Sequence, residues 1–306
     1  MDSVIKEIEE YKHKFFRTNS FIHKYSLVSL ITSLEFYTEK IDKEFQDLVN
    51  RDGNYQDKVK YYDDKLIKSL NSFILDNYDL IKNAIVPYKT CFYRFTPYIE
   101  EQIDPNTCLR IISEFLLSVD PHLYNMFCEL YSTNHILFKS DFSGGLEFND
   151  RDRDSIHILV GALSSVSDMA TLIHELGHAY KDYLIPDYHR YFNLNDVLES
   201  EISSKTLELM FLLYLIKNNI CSNDAIKNFD NYQNIINSTS NQILDINNYN
   251  HNYLKELSYL LGGIIANNYM INGDKSFGDF IRYIYFNNIK VILKDLNKSN
   301  IKEFHY

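Results

Sequence analysis

Two histidines and a glutamate lie together in His174-Glu175-Leu176-Gly177-His178. If this segment is helical, His174 and His178 share one face about 6 Å apart along the axis, because four residues make roughly one turn. Two imidazole nitrogens at that spacing can bind one metal ion at about 2.0–2.1 Å. Glu175 lies about 100° around the helix from His174, where its carboxylate can take a proton from a water molecule at the metal.

A surface helix that carries two histidines by chance is the alternative interpretation. Apolar neighbours argue against it, because ionisable groups buried among them are costly unless they have a partner, which a metal supplies. These neighbours are Leu172, Ile173, Leu176 and Ala179. We therefore expect one zinc ion per chain at the HExxH pattern typical of zinc-dependent peptidases.

The third ligand is expected on the next predicted helix, because a catalytic zinc site usually has three protein ligands and one open position. Glu201, Ser204 and Glu208 share a helix face, since they are spaced at i, i+3 and i+7. Glu199 lies about 180° from Glu208 and is expected to face elsewhere. A solvated acidic face is the alternative. We favour Glu201 because the two histidines still need a third ligand.

The combination of both segments resembles the thimet oligopeptidase and oligoendopeptidase F family of zinc metallopeptidases. The signature of that family is HExGH with ExxSxxxE about two dozen residues later, and here Glu201 follows His178 by 23 residues. The resemblance implies that His174, His178 and Glu201 bind zinc and that Glu175 is the general base. It also implies that Glu208, with Ser204 in the same signature, lies behind the ligands and orients a histidine.

The resemblance covers roughly residues 139–270. Ser143-Gly144-Gly145 and Ile156–Val160 resemble the glycine turn of the family and the strand that lies along bound peptide. Gly144, Gly145 and His157 are therefore expected to bind substrate. An exposed strand edge can bind extended peptides through main-chain hydrogen bonds, and an ordinary buried core strand is the alternative for Ile156–Val160. Family members are usually much longer, so the chain resembles a shortened form.

Oxyanion-stabilising residues are expected downstream, where the family has histidine and tyrosine residues. Tyr259 is the preferred candidate, His251 the second and Tyr253 the third, because the spacing does not align all three at once. A tyrosine hydroxyl can donate a strong hydrogen bond to an oxyanion. The alternative is that Tyr259 is a core aromatic residue among the 25 tyrosines.

The composition is that of a globular protein, with 306 residues, 45% hydrophobic residues and a net charge of −11. The negative charge disfavours a nucleic-acid partner. No apolar run is long enough to span a membrane, and the acidic N-terminus lacks a signal-peptide block. Four cysteines without paired spacing favour a reducing, cytoplasmic location; they are Cys91, Cys108, Cys128 and Cys221. The expected partner is a peptide substrate, with a monomer slightly favoured.

Helical periodicity dominates the sequence. Asp120-Pro121 is expected to divide one helical stretch into two helices, because the residue before a proline disfavours the α conformation. The motif helix is expected to end near Leu184. The other predicted helices lie near Ser26–Leu48, up to Ile85, and near Asn106–Tyr131, Asn195–Leu215, Asn223–Asn247, Tyr253–Met270 and Phe277–Leu296.

Residues 135–161 have a different pattern, with short apolar and β-branched runs around a glycine turn. They predict two or three short strands, among them His135–Phe138 and Ile156–Val160. The predicted fold class is mainly α, a helical zincin-like metallopeptidase with a small β-sheet next to the HExxH helix. We expect a helical N-terminal lobe at residues 1–130 and a catalytic lobe at residues 131–306, with one compact domain as the alternative.

The sequence favours a zinc-dependent endopeptidase that hydrolyses oligopeptides or an unstructured protein segment. One alternative is a catalytically weak or inactive relative of the family that binds peptides or a protein partner. Another is a di-iron or di-manganese carboxylate oxidase, since Glu175-Leu176-Gly177-His178 is also an ExxH motif, but such bundles need two of these motifs. Cleavage of one dedicated precursor protein is a further possibility that spacing alone does not separate from general peptide turnover.

Overall fold

The computed structural model describes part of the chain. The described residues are 6, 10, 14, 72, 75–85, 100–140, 144–150, 155–184, 194–231, 261–263, 276–287, 290–292 and 294. The chain divides into two compact units, Met1–Phe73 with His189–Val197, and Ile74–Tyr188 with Leu198–Tyr306. In the first unit Lys6, Glu10 and Lys14 are helical, and Lys14 pairs with Glu10 at 2.6 Å. The division near residue 130 stays a prediction.

Helix α1 (Tyr78–Ile85) ends where the sequence predicts. The next predicted stretch is divided at Asp120, as expected, into α2 (Pro105–Val119) and α3 (Pro121–Ser132). Each helix has an aspartate at its N-cap and a proline in its first turn, because a carboxylate can accept from the first free N–H groups and proline needs no partner there. The two helices pack on each other.

The sheet has three strands, β1 (Ile136–Phe138), β2 (Gly145–Asp150) and β3 (Ser155–Val160). Their order is β1-β3-β2, with β3 parallel to β1 and antiparallel to β2. Gly145 is in register with Val160, and Glu147 is in register with Ile158. Because side chains alternate along a strand, these four residues share one face of the sheet.

The motif helix α4 (Val166–Leu184) ends at the predicted residue and lies at the centre of the second unit. It contacts β2, β3, α2 and α3. Residues 172–182 are all buried, which is typical of a helix enclosed on every side. At its start, the Ser165 hydroxyl accepts from the Asp168 N–H, as an N-cap does, and the Asp168 carboxylate accepts from the Ser164 N–H. The prediction of a mainly α fold with a small sheet beside this helix is confirmed.

Helix α5 (Leu194–Lys217) matches the long helix predicted after the motif helix. Residues 222–231 and 261–263 are helical within the predicted downstream helices. Residues 222–231 form α6. Helix α7 (Phe277–Phe286) packs on α4. The prediction of one helix from Phe277 to Leu296 is wrong, because Asn287 adopts an extended conformation and its side chain donates to the Tyr283 carbonyl.

Several predictions fall outside the described residues. They include the helix near Ser26–Leu48 and most of the helices predicted around residues 232–270. Among the described helices none is both long and apolar enough to cross a membrane. The cytoplasmic location and the oligomeric state stay predictions.

Candidate metal centre

The two motif histidines direct their rings at one another. His174 Nε2 and His178 Nε2 lie 3.2 Å apart, and the rings are nearly perpendicular at 81°. Two ligands at 2.0–2.1 Å from a tetrahedral ion are separated by about 3.3 Å, so this spacing suits a shared ion. Both residues are more than nine-tenths buried, at 9% and 6% exposure.

The other nitrogen of each ring is held by α5. His174 Nδ1 lies 2.9 Å from Glu208 Oε2, and His178 Nδ1 lies 2.9 Å from Ser200 Oγ. An ionised carboxylate can only accept, so His174 carries its proton on Nδ1 and presents a lone pair at Nε2. The Ser200 hydroxyl can accept the Nδ1–H of His178 and leave that ring in the same tautomer. Histidines that bind metals in proteins usually donate their other ring N–H to a hydrogen-bond acceptor in the same way.

Glu201 supplies the third atom of the cluster. The ligand atoms of His174, His178 and Glu201 all lie within 4.8 Å of one another, and Glu201 Oε2 is 3.7 Å from His174 Nε2. This oxygen is buried and accepts no hydrogen bond from any described residue. A proton shared between the two rings would satisfy them but would leave the carboxylate oxygen unsatisfied. A divalent cation would satisfy all three, so the donor set fits zinc, with its preference for imidazole and carboxylate.

Glu208 is itself paired with Lys205, one turn earlier on α5. The Lys205 ammonium lies 2.5 Å from Glu208 Oε2, the same oxygen that His174 contacts. Burial by itself raises the pKa of Glu208, but the Lys205 charge and the hydrogen bond from His174 outweigh it and lower the pKa to about 2. Glu208 is therefore a carboxylate at neutral pH and always an acceptor for His174.

Gly177 brings α4 and α5 together at the cluster. A Cβ at this position would lie 2.5 Å from Ser204 Cα, so only glycine permits the contact. The Ser204 hydroxyl donates to backbone carbonyls of its own helix, those of Ser200 and Glu201. Ser204 thus lies at the helix contact, and Ser200 is the serine that reaches a histidine. The approach of the two backbones places Glu201 and Ser200 opposite the motif histidines.

Glu175 lies beneath the first residue of β2. A Cβ at Gly145 would lie 2.5 Å from Glu175 Oε1, so the carboxylate occupies the space that a side chain would take. Glu175 is 7% exposed and adjacent to the first histidine in the motif. Gly144, which was also expected to bind substrate, has a φ of 111°, a value that disfavours any other residue. Gly145 therefore leaves the space that Glu175 fills, and the substrate-binding roles of Gly144 and Gly145 stay predictions.

The strand β3 does not have an exposed edge, because it is paired with β1 on one side and β2 on the other. The core-strand interpretation of Ile156–Val160 is therefore correct, and β2 lies at an edge of the described sheet. His157 is on the face of the sheet opposite to Gly145, by strand alternation, with its ring 4.4 Å from that of His135. Its role in substrate binding stays a prediction.

Comparisons with known proteins add distant structural neighbours. No family model and no curated protein matches the chain. A protein of Bacillus anthracis assigned as an oligoendopeptidase F is 12% identical, with a TM-score of 0.46, over 90% of this chain and 59% of its own. A second oligoendopeptidase F structure is 10% identical, with a TM-score of 0.46, over 97% and 65%.

The third neighbour is PZ peptidase A with an inhibitor, which is 13% identical, with a TM-score of 0.44, over 96% of this chain and 67% of its own. The chain thus spans about two thirds or less of the length of these peptidases. At such identities and TM-scores, the likeness neither assigns the chain to a family nor transfers an activity. The candidate metal centre is therefore inferred from the geometry of the residues of this chain.

Two residues of the cluster were not anticipated from the sequence. Ser200 and Lys205 flank the helix face of α5 that carries Glu201, Ser204 and Glu208, one on each side around the helix. A wider definition of that face would have included both residues. Three predicted residues, Tyr259, His251 and Tyr253, lie outside the described part of the chain, as does the side chain of Glu199. Their roles stay predictions.

Proposed function

We propose that the chain is a zinc-dependent endopeptidase that hydrolyses peptide bonds in oligopeptides or in unstructured protein segments. The observation that carries the proposal is that the ligand atoms of His174, His178 and Glu201 lie within 4.8 Å of one another, while Glu201 Oε2 accepts no hydrogen bond from any described residue. Three lone-pair donors, together with the buried carboxylate of Glu175 directly after the first histidine, are the parts that metal-assisted hydrolysis requires.

His174, His178 and Glu201 would hold one zinc ion. Bound zinc would supply a Lewis acid that polarises the scissile carbonyl and lowers the pKa of the attacking water towards about 7. Glu208 and Ser200 keep the two histidine rings oriented and in the ligand tautomer.

Glu175 is the general base of the proposed reaction. Its carboxylate takes a proton from the attacking water and then delivers that proton to the leaving amine nitrogen. Gly145 supports this role, because the absence of a side chain leaves room for the carboxylate below β2. Tyr259 is the proposed donor to the oxyanion, followed by His251 and Tyr253.

An extended peptide is proposed to lie along β2. The strand is at an edge of the described sheet, and it begins at Gly145, directly over Glu175. Main-chain pairing with a strand edge does not depend on side-chain identity, so it suits a peptidase with broad sequence tolerance. It also requires an extended substrate, which is why folded proteins are not the proposed substrates.

The proposal is tested by incubating the zinc-loaded protein with a diverse peptide mixture and identifying products by mass spectrometry. The wild type is expected to cleave internal bonds, and Glu175→Gln is expected to bind zinc but to lose nearly all activity. Glu114→Gln is the matched control, because Glu114 is an exposed glutamate on α2 that pairs with Arg110. Full activity in Glu175→Gln would contradict the mechanism. Zinc binding without any turnover by the wild type would favour a peptide-binding protein.

A further inference from the structure

The carboxylate behind His174 is shared with a cation. Glu208 Oε2 lies 2.9 Å from His174 Nδ1 and 2.5 Å from Lys205 Nζ, so one oxygen accepts from both. The Lys205 and Glu208 side chains are 12% and 16% exposed, which places the pair largely out of solvent. An ion pair so weakly screened by water has more influence on its surroundings than a surface pair has.

The stem of Lys205 is confined by a neighbouring helical segment. A Cβ at Gly262 would lie 3.2 Å from Lys205 Cβ and 3.2 Å from the Glu201 carbonyl oxygen. The close approach of residues 261–263 to α5 therefore limits where the lysine side chain can go. Packing therefore confines the base of the Lys205 side chain, and the ion pair holds its ammonium at Glu208.

The two partners of Glu208 have opposite effects on a cation site. A carboxylate that accepts from a ligand histidine makes the imidazole a better electron donor and strengthens metal binding. A lysine on the same oxygen offsets that negative charge, so Glu208 makes His174 a better electron donor to a lesser extent. Lys205 therefore weakens the effect of the Glu208 charge on His174.

We propose that Lys205, by offsetting the charge of Glu208, makes the His174–His178–Glu201 site bind a divalent cation less tightly. This inference rests on the proposed zinc site. By reducing the electron donation of His174, Lys205 would leave a bound zinc ion a stronger Lewis acid, which is the chemistry that polarises a carbonyl.

A competition titration of the metal-free protein with zinc and a chromophoric chelator tests this inference. Lys205→Met keeps the length of the side chain and removes its charge, and it is expected to tighten zinc binding by about 3- to 10-fold. Lys205→Arg keeps the charge and is expected to match the wild type. Glu208→Gln is expected to weaken binding by about 10- to 100-fold. Lys205→Gln is a second uncharged variant if the methionine variant does not fold.

The double variant Lys205→Met/Glu208→Gln separates the two effects. If Lys205 acts through Glu208, removing the lysine charge is expected to change zinc affinity much less in the Glu208→Gln background than in the wild type. Weaker zinc binding by Lys205→Met would show that Lys205 is only a structural support, and unchanged binding would show that it has no influence. Either result overturns the inference while leaving the proposed function intact. Absence of zinc binding by the wild type would contradict both.

Discussion

The Glu175 carboxylate fills the space that a side chain at position 145 would occupy. A Cβ at Gly145 would lie 2.5 Å from Oε1 of Glu175. The contacted atom is the end of a flexible side chain, so an added methyl group would displace the carboxylate more readily than the backbone. The first residue of β2 and Glu175, the proposed general base, are thereby linked, although 30 residues separate them in the sequence.

Gly145→Ala is expected to lower kcat by roughly 100-fold, because a misplacement of about 1 Å is enough for such a loss. Zinc affinity is expected to stay the same, since the three ligands are not contacted. Steady-state kinetics with a zinc titration would measure both. Gly278→Ala is the control, because its added Cβ would meet Asp120 and Tyr180 instead of the cluster. Full activity in Gly145→Ala would show that the position of Glu175 is not critical.

Gly177→Ala is expected to destabilise the protein by about 1–3 kcal/mol, because the added methyl group would press on the backbone of α5 at Ser204. The sign of this change in stability is informative, because a glycine-to-alanine substitution inside a helix otherwise stabilises a protein by up to about 1 kcal/mol. Zinc affinity should fall as well, because the two helices carry different ligands. Urea unfolding of the metal-free protein and a zinc titration would test this. Higher stability in the variant would mean that the helices do not meet at this glycine.

Ser200→Ala is expected to weaken zinc binding by about 10-fold, because His178 loses the partner of its Nδ1 atom. Ser203→Ala is a matched control on the same helix. Ser203 is equally buried, but its hydroxyl donates to the Ser200 carbonyl and not to a histidine. Equal losses of affinity in the two variants would show that the effect comes from the helix and not from His178.

Cys108 is expected to resist alkylation in the folded protein. Burial, followed by the nearby charge of Asp104, raises the pKa of its thiol to about 11, so the reactive thiolate is scarce at about pH 8. Cys128 and Cys221 are partly exposed and should react first, although burial also raises the pKa of Cys221. Mass spectrometry after iodoacetamide treatment, with and without urea, would measure this order. Rapid labelling of folded Cys108 would contradict its buried position.

The sequence was sufficient for those parts of the site that lie within one helix. The spacing of His174 and His178 places them on one face once the segment is helical, and the spacing of Glu201 and Glu208 does the same on α5. The helix ends at Val119 and Leu184 were predicted because proline and cap residues act locally.

Contacts between elements could not be predicted in this way. The pairing of Ser200 with His178 depends on how α4 and α5 cross at Gly177, and periodicity carries no information about a crossing. The sheet order β1-β3-β2 places β3 in the centre although β2 comes between β1 and β3 in sequence. For the same reason, the strand proposed to face the peptide is β2 and not β3.

Native mass spectrometry of the zinc-loaded protein is the most direct test of the central claim that His174, His178 and Glu201 form one metal centre. The predicted result is one zinc ion per chain in the wild type and none in His178→Ala, while His122→Ala, which removes an exposed histidine on α3, keeps the ion. A wild type without zinc, or a His178→Ala variant that keeps it, would contradict the claim.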